Sequence, residues 1–262
     1  MEATGTKIKE LAKALYQAEL DRTPIAPLTE GNPDLTPEDA YHIQLEWVKL
    51  KEQDGARITG KKIGLTSKAM QNMLGVNEPD YGHLFDYMMI SDNESFETAE
   101  LLQPRIEAEV AFILKDDLKG PGITVADVLA ATKYVVPAIE IIDSRIANWK
   151  IKLQDTIADN GSSARVVLGN KATTIEGLDL QLMGMVLEKN GQQISTGAGA
   201  AALGHPAYAI AWLANKLSQF DIALKAGEVI LPGAVAAAVD VEKGDHITVL
   251  FSGIGSVSVS FE

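Results

Sequence analysis

Two N-terminal segments carry apolar residues at helical spacing. In residues 6–20 and again in residues 37–53, apolar side chains recur every three or four positions, which places them on one face of a helix. Thr36 can cap the second helix, and Pro37 can occupy its first position, where no hydrogen bond requires a backbone N–H. The pattern therefore predicts two amphipathic helices that form an N-terminal helical cap, residues 1–56.

From residue 57 onward the pattern changes to short apolar runs separated by turns. Strands are predicted within residues 58–67, 102–114, 134–142, 228–231, 246–251 and 256–261. Asn190–Gly191 lies between two further apolar runs and is a strong hairpin signal. Alternating turns and short strands near the end of the chain are typical of an antiparallel sheet. The sequence thus predicts an α+β fold in which residues 57–262 form a β-rich body, one globular unit with the cap.

Carboxylates interrupt two of the apolar strands. Side chains alternate between the faces of a strand, so Glu107 and Glu109 share a face, while Glu140 lies between apolar neighbours in the second strand. Buried carboxylates that lie side by side repel each other unless they share a proton or a cation neutralises them. Three such acids favour a hard cation such as Mg²⁺ or Mn²⁺. Acids on the solvated face of edge strands are the alternative at this point.

The overall charge and composition exclude several classes of partner and chemistry. The chain of 262 residues has a formal net charge of −13 and no run of basic residues, so neither a nucleic acid nor an anionic membrane is an expected partner. Cysteine is absent, which excludes disulfides, thiolate catalysis and Cys-ligated metals. No stretch approaches the roughly 18 apolar residues of a membrane span, and the N-terminus has no apolar signal segment. We therefore expect a soluble cytoplasmic protein.

Several polar residues are candidates for chemistry. Lys61 and Lys62 are consecutive in a predicted strand, so one can face a site, where a lysine near a cation can transfer protons or bind a carboxylate. Asp80 lies in a turn-rich segment, and Arg165 can bind a carboxylate through its planar guanidinium. Each of these residues could equally be a surface residue. No H-x-x-x-H, H-E-x-x-H or G-x-S-x-G pattern supports a histidine zinc site or a serine hydrolase.

A series of ordered motifs resembles one known group of enzymes. The motifs are Gly60–Ser67 (GKKIGLTS), Pro79–Gly82 (PDYG), Ile106–Glu109 (IEAE), Glu140 with Asp143–Arg145, Asp159–Asn160, Gly204–Pro206 and Gly253–Val257. In this order they are similar to the 2-hydroxypentadienoate (2-oxopent-4-enoate) hydratases and the 4-oxalocrotonate decarboxylases of aromatic meta-cleavage pathways, within the fumarylacetoacetate hydrolase superfamily. The resemblance extends from about residue 10 to the end of the chain.

This resemblance implies a fold and a metal site. The implied fold is of the fumarylacetoacetase C-terminal type, a rolled mixed β-sheet with surrounding helices, in a homo-oligomer. Glu107, Glu109 and Glu140 are the implied ligands of Mg²⁺ or Mn²⁺, in agreement with the strand argument above. The implied partners are a small 2-oxo or 2-hydroxydienoic acid as substrate and, in a complex, the partner decarboxylase or hydratase.

The resemblance also implies roles for residues around the metal. Lys62 and Asp80 are the expected catalytic residues, and Leu65, Ser162 and Arg165 are the expected substrate-binding residues. In the hydratase reaction, 2-hydroxypenta-2,4-dienoate is ketonised and water adds at C4 to give 4-hydroxy-2-oxopentanoate. In the decarboxylase reaction, 2-oxohex-3-enedioate loses its distal carboxylate as CO₂, and Arg165 could hold that carboxylate.

The sequence favours the hydratase and leaves the decarboxylase as the alternative. The residues around Asp80 resemble the hydratases, whereas residues 162–165 resemble the decarboxylases more closely. A catalytically silent partner of an active homologue is a further hypothesis, against which the intact Lys62 and the three glutamates argue. Hydrolysis of acylpyruvates, known elsewhere in the superfamily, would need a His–Glu arrangement near the N-terminal side of the site that the sequence does not offer.

Overall fold

The computed structural model describes residues 4–68, 71–72 and 75–262. Its N-terminal part contains the helices α1 (Gly5–Leu20), α2 (Leu28–Gly31) and α3 (Pro37–Gln53). Thr36 and Asp39 form a reciprocal cap, in which the Asp39 N–H donates to Thr36 Oγ1 and the Thr36 N–H donates to Asp39 Oδ2, both at 3.1 Å. Helix α3 therefore begins where the Thr36–Pro37 pair predicts.

The body contains many short strands and a few helices. Its strands are β1 (Ile58–Gly64), β2 (Asp80–Phe85), β3 (Met89–Ser91), β4 (Glu94–Phe96), β5 (Arg105–Leu114), β6 (Thr132–Ile142), β7 (Ser163–Leu168), β8 (Gly184–Lys189), β9 (Gln192–Ala198), β10 (Val229–Leu231), β11 (Val239–Asp240), β12 (His246–Phe251) and β13 (Gly255–Phe261). Helices in the described part of the body include α4 (Val125–Ala131), α5 (Leu153–Ala158) and α6 (Pro206–Leu217).

Within the described ranges the strands form two mixed sheets. The larger sheet has the order β2-β1-β10-β5-β6-β7-β3, with β11 paired to β5, and the smaller has the order β4-β13-β12-β8-β9. Strands β12 and β13 contact β6, and the apolar core fills the space between the sheets and beneath the helices. This architecture confirms the predicted α+β fold with a mixed sheet and N-terminal helices.

Strand β10 departs from the antiparallel pattern expected near the end of the chain. It lies parallel to β1 and antiparallel to β5. Strands β8, β9, β12 and β13 pair antiparallel with one another as expected, and β13 also lies parallel to β4. All three residues of β10 are buried, so its sequence has no polar alternation from which a partner could be inferred. By inserting between β1 and β5, β10 joins the strand that carries Lys62 to the strand that carries Glu107 and Glu109.

Buried polar contacts join the N-terminal helices to the body. Gln44 Nε2, on α3, donates to the carbonyl oxygens of Tyr81 and Ile157 at 2.8 and 2.7 Å. Thr29 donates to Asp155 Oδ1 through its N–H at 3.0 Å and to Oδ2 through its hydroxyl at 2.8 Å. A boundary at residue 56 stays a prediction. None of the helices in the described part of the chain is long and apolar enough to cross a membrane.

Candidate active site

Three carboxylates meet where β5 and β6 pair. Glu107 lies directly opposite Glu140 in the register of these strands, and Glu109 follows on the same face of β5. One carboxylate oxygen from each residue lies within 4.8 Å of the others. Glu109 and Glu140 are buried, whereas Glu107 is partly exposed. Alternation along one strand and register with the next therefore produce the cluster.

The oxygen atoms of this carboxylate cluster fit a hard cation. The Gly233 N–H donates to Glu109 Oε2 at 2.8 Å. Within the described ranges, the buried atoms Glu109 Oε1 and Glu140 Oε1 have no hydrogen-bond partner. Buried carboxylate oxygens without donors are costly, and an oxygen-preferring cation such as Mg²⁺ or Mn²⁺ would satisfy them.

Protons compete for the cluster when no cation is bound. Burial raises the pKa of Glu109 well above its usual range, and the negative charges of Glu140 and Glu107 raise it further. Burial and the charge of Glu140 raise the pKa of Glu107 to about 7, against the opposing charge of Lys62. Burial also raises the pKa of Glu140, although Lys62 opposes this rise. A cation must displace these protons, so its binding should strengthen as pH rises.

Two consecutive lysines on β1 face opposite sides of the sheet. Lys62 Nζ lies 3.4 Å from Glu140 Oε2, whereas Lys61 Nζ lies 2.6 Å from Glu228 Oε1 on the other face. Burial disfavours the charge of Lys62, but the negative charges of Glu140 and Asp80 outweigh burial and raise its pKa above the usual value. Lys62 is therefore a buried ammonium group beside the carboxylate cluster.

Asp80 is a buried carboxylate whose charge acts on Lys62. It is the first residue of β2 and lies opposite Gly64 in β1. The Thr156 hydroxyl donates to Asp80 Oδ2 at 2.9 Å, and burial raises the pKa of Asp80 although the charge of Lys62 opposes this. A Cβ atom on Gly64 would collide with Asp80 Oδ1, and one on Gly161 would lie 3.1–3.3 Å from the Lys62 side chain. Gly64 is therefore needed to leave room for Asp80, and a side chain on Gly161 would require Lys62 to shift.

Leu65 and Ser162 directly follow Gly64 and Gly161 in the chain, and both have an unusual backbone conformation. Leu65 follows β1 directly with a φ of 55°, and its carbonyl oxygen accepts from Gln71 Nε2 at 2.8 Å. Ser162 also has a φ of 55°, and its hydroxyl donates to Asp159 Oδ2 at 3.0 Å. Left-handed backbone at two non-glycine residues stores strain, which is common beside functional sites. Their expected role in substrate binding stays a prediction.

Arg165 is not brought to the carboxylate cluster. In the pairing of β6 with β7, Glu140 lies opposite Val166 and Ile141 lies opposite Arg165, so Arg165 points to the other face of the sheet. Its guanidinium lies 3.2 Å from Glu100 Oε2 and 5.0 Å from the centroid of the Phe96 ring. The structure thus gives this expected substrate-binding residue a different set of neighbours.

Arg105 lies on the face of the cluster and was missed by the sequence analysis. It precedes Glu107 by two residues in β5, so the two side chains share a face. Arg105 Nε donates to Asp240 Oδ1 at 2.7 Å, and the guanidinium lies 4.6 Å from the centroid of the Trp149 ring. The alternation that identified Glu107 and Glu109 would also have identified Arg105.

Comparison with known proteins identifies a matching family model and several similar enzymes. The family model described as fumarylacetoacetate (FAA) hydrolase C-terminal matches residues 68–261. A 2-hydroxypent-2,4-dienoate hydratase of Pseudomonas putida is 55% identical over 219 residues, covering 83% of this chain and 99% of the relative. A 2-hydroxyhexa-2,4-dienoate hydratase of Comamonas testosteroni is 49% identical over 256 residues, covering 97% of each chain.

A solved structure extends this similarity to the fold. The 4-oxalocrotonate decarboxylase from Pseudomonas putida G7, complexed with magnesium and adipate, superposes with a TM-score of 0.97 at 42% identity, and the match covers 99% of each chain. The sequence and structural matches agree over most of the chain's length. The chain belongs to the fumarylacetoacetate hydrolase C-terminal family.

Proposed function

We propose that this chain is a metal-dependent hydratase that converts 2-hydroxypenta-2,4-dienoate and water into 4-hydroxy-2-oxopentanoate. The observation that carries the proposal is the buried cluster of Glu107, Glu109 and Glu140 with Lys62 beside it. Identities of 55% and 49% to hydratases of dienoic acids support the choice of reaction.

Glu107, Glu109 and Glu140 would hold Mg²⁺, the cation found in the decarboxylase relative from Pseudomonas putida G7. When bound, this cation supplies the positive charge that stabilises negative charge developing on the 2-oxo oxygen of the substrate. The nearby glutamates fix its position, and their raised pKa values tie its affinity to pH.

Lys62 and Asp80 are the groups proposed to move protons. In the first step the 2-hydroxyl loses a proton and C5 gains one, which gives the α,β-unsaturated 2-oxo acid. In the second step the hydroxyl of water joins C4 and its proton joins C3. Thr156 fixes the Asp80 carboxyl through Oδ2, and Lys62 Nζ lies 3.4 Å from Glu140 Oε2. Two buried proton-exchanging groups whose charges act on each other suit this sequence of transfers.

The second candidate function is decarboxylation of 2-oxohex-3-enedioate, which releases the distal carboxylate as CO₂ and leaves the five-carbon dienol. The TM-score of 0.97 to a 4-oxalocrotonate decarboxylase favours it. Both reactions need negative charge to be stabilised at the 2-oxo oxygen, so the same three glutamates serve either.

A proton NMR time course distinguishes the two reactions. The purified chain with Mg²⁺ is given 2-hydroxypenta-2,4-dienoate or 2-oxohex-3-enedioate, with Glu107→Gln as the control. Formation of 4-hydroxy-2-oxopentanoate from the first substrate alone supports the hydratase, and loss of CO₂ from the second supports the decarboxylase. If neither substrate is consumed, or if Glu107→Gln is as active as the parent, the metal-dependent mechanism is wrong and a silent structural partner becomes the better explanation.

The resemblance to the hydratases and decarboxylases also supports a proposal about how the chain assembles. We propose a cytoplasmic homo-oligomer that can associate with a partner decarboxylase. Light scattering of the purified chain tests the first part, and a single species with the 28.1 kDa mass of one chain would refute it. Co-purification with a decarboxylase homologue tests the second.

A further inference from the structure

A cavity lies on the face of β1 opposite Lys62, away from the carboxylate cluster. It has a volume of about 590 Å³ and is lined by residues of α1, α3, β1, β2 and the segment 221–228 that precedes β10. Lys61 and His83 line it from β1 and β2. We call it the α3–β1 cavity. Its volume is within the range of cavities that hold small molecules in proteins.

The walls of the α3–β1 cavity are mainly apolar and carry balanced charge. Among the described residues that line it, four lysines and four acidic residues offset one another. Apolar side chains from α1, α3, β1 and the segment before β10 form much of the remaining wall: Ile8, Leu45, Val48, Ile58 and Ile222. A cavity without surplus cations, in a chain of net charge −13, does not favour an anion. Apolar walls favour a ligand with an apolar body.

His83 provides a free hydrogen-bond acceptor in this cavity. Gln44 Nε2 donates to two carbonyl oxygens, so Gln44 Oε1 is an acceptor. His83 Nδ1 lies 3.1 Å from this oxygen and must therefore carry a proton. Burial lowers the pKa of His83 to about 3, and the charge of Lys61 acts in the same direction, so the ring is neutral. Its other nitrogen, Nε2, keeps a lone pair and has no hydrogen-bond partner among the described residues.

Lys61 provides a donor beside this acceptor. It lies directly opposite His83 in the pairing of β1 with β2, and the Cβ atoms of such residues are about 5 Å apart. An ammonium group has three N–H donors. Within the described ranges, Glu228 Oε1 accepts from Lys61 Nζ at 2.6 Å, and the other two donors have no partner. Lys61 and His83 are only 2% and 1% exposed, so a ligand that pairs with both removes the cost of unsatisfied buried groups.

We propose that the α3–β1 cavity binds a neutral, mainly apolar molecule that carries a hydroxyl group. A hydroxyl both donates and accepts hydrogen bonds, so this one group can donate to His83 Nε2 and accept from Lys61 Nζ. The apolar body of the ligand then packs against the side chains of α1 and α3. This site is separate from the proposed metal site and requires neither a metal nor turnover.

Equilibrium dialysis with a matched pair of probes tests the proposal. The full chain in EDTA is dialysed against 2-naphthol or against 2-methoxynaphthalene, which has the same rings but no hydroxyl donor. The parent should bind 2-naphthol about 3- to 10-fold more tightly, as expected for one hydrogen bond. His83→Asn keeps an amide N–H that can reach Gln44 but has no atom at the position of Nε2, so this preference should disappear. His246→Asn, at an exposed histidine of β12, is the matched control and should keep it.

Ala223→Trp locates the site without relying on His83. Ala223 lines the α3–β1 cavity and is partly exposed, so an indole at this position should weaken binding of both probes about 10-fold or more by filling the space. Equal affinities for the two probes in the parent, a preference that persists in His83→Asn, or parental affinities in Ala223→Trp would each overturn the proposal. An equal loss for both probes in His83→Asn, with the preference kept, would show that His83 acts only in packing. Because the metal is absent throughout, none of these outcomes depends on the proposed hydratase activity.

Discussion

Glu109→Gln should stabilise the metal-free protein and abolish its response to Mg²⁺. Glu109 is buried beside Glu107 and Glu140, and Lys62 is a cation that faces this group of acids. The substitution keeps the shape of the side chain and removes one negative charge from a cluster with more acids than bases. The substitution also removes a proposed metal ligand. It should therefore raise the stability of the metal-free protein and remove the stabilisation by Mg²⁺.

The size of the stabilisation follows from the geometry. Two unit charges 4.8 Å apart repel by about 3.5 kcal/mol at an effective dielectric constant of about 20. If Glu109 avoids this repulsion by binding a proton, folding costs about 1.4 kcal/mol for each pH unit above its usual pKa. The neutral amide of the variant escapes either cost but weakens the hydrogen bond from Gly233, at about 1 kcal/mol. A net gain of about 2–4 kcal/mol is expected at pH 8.

Thermal unfolding at pH 8, in EDTA and again in Mg²⁺, measures both effects. For a chain of this size each kcal/mol shifts Tm by roughly 2–4 °C, so Glu109→Gln should raise the metal-free Tm by several degrees. Glu228→Gln is the matched contrast, because Glu228 is the 2.6 Å partner of buried Lys61. Its loss leaves that lysine unpaired and should destabilise the protein by about 3–5 kcal/mol.

Three results would contradict this reasoning. A lower metal-free Tm for Glu109→Gln would mean that the buried carboxylates do not repel one another. A Mg²⁺-dependent rise in Tm equal to that of the parent would mean that Glu109 is not a ligand. Stabilisation by Glu228→Gln would show that burial of Lys61 is not compensated by its ion pair.

Three further predictions concern the rest of the site and the cap. Raised carboxyl pKa values mean that the metal-free folded state binds more protons than the unfolded state. Its free energy of unfolding, measured in urea, should therefore fall as pH rises from about 4.5 to about 7, the usual and folded pKa values of Glu107. An increase in this free energy over the same range would contradict the raised pKa values. Gly161→Ala brings a Cβ to 3.1–3.3 Å from the Lys62 side chain at a φ of 59°, so kcat should fall at least 10-fold while calorimetric Mg²⁺ affinity is retained. Thr29→Val removes the 2.8 Å bond to Asp155 and should cost about 1–2 kcal/mol in urea unfolding; an unchanged midpoint would show that this contact does not hold the cap.

The alternation of side chains within a strand could be predicted from the sequence, but the pairing of one strand with another could not. The common face of Glu107 and Glu109 follows from their spacing alone. That Glu140 meets Glu107 depends on the register of β5 with β6, which is set by tertiary packing of long apolar runs and not by a local signal. The same applies to β10, whose three buried residues gave no indication that it would lie parallel to β1.

The two arginines illustrate this limit. The sequence pattern did not predict a strand around Arg165, although Ser163–Leu168 is a strand in which Arg165 and Val166 point to opposite faces. That Arg165 lies on the face opposite the carboxylate cluster can be recognised only once its strand and register are known. Arg105, by contrast, could have been found from the sequence, because it shares its strand and its parity with Glu107.

The insertion of β10 between β1 and β5 has a consequence for biosynthesis. A nascent chain emerges from its N-terminus, so Glu107, Glu109, Glu140 and Lys62 are all made before Val229–Leu231. Until β10 is available, the strand that carries Lys62 lacks the partner that joins it to the strand of the two glutamates. A chain that stops short of residue 229 thus contains these acids and the lysine but not the strand that aligns them. Assembly of the site is thereby linked to near-completion of translation.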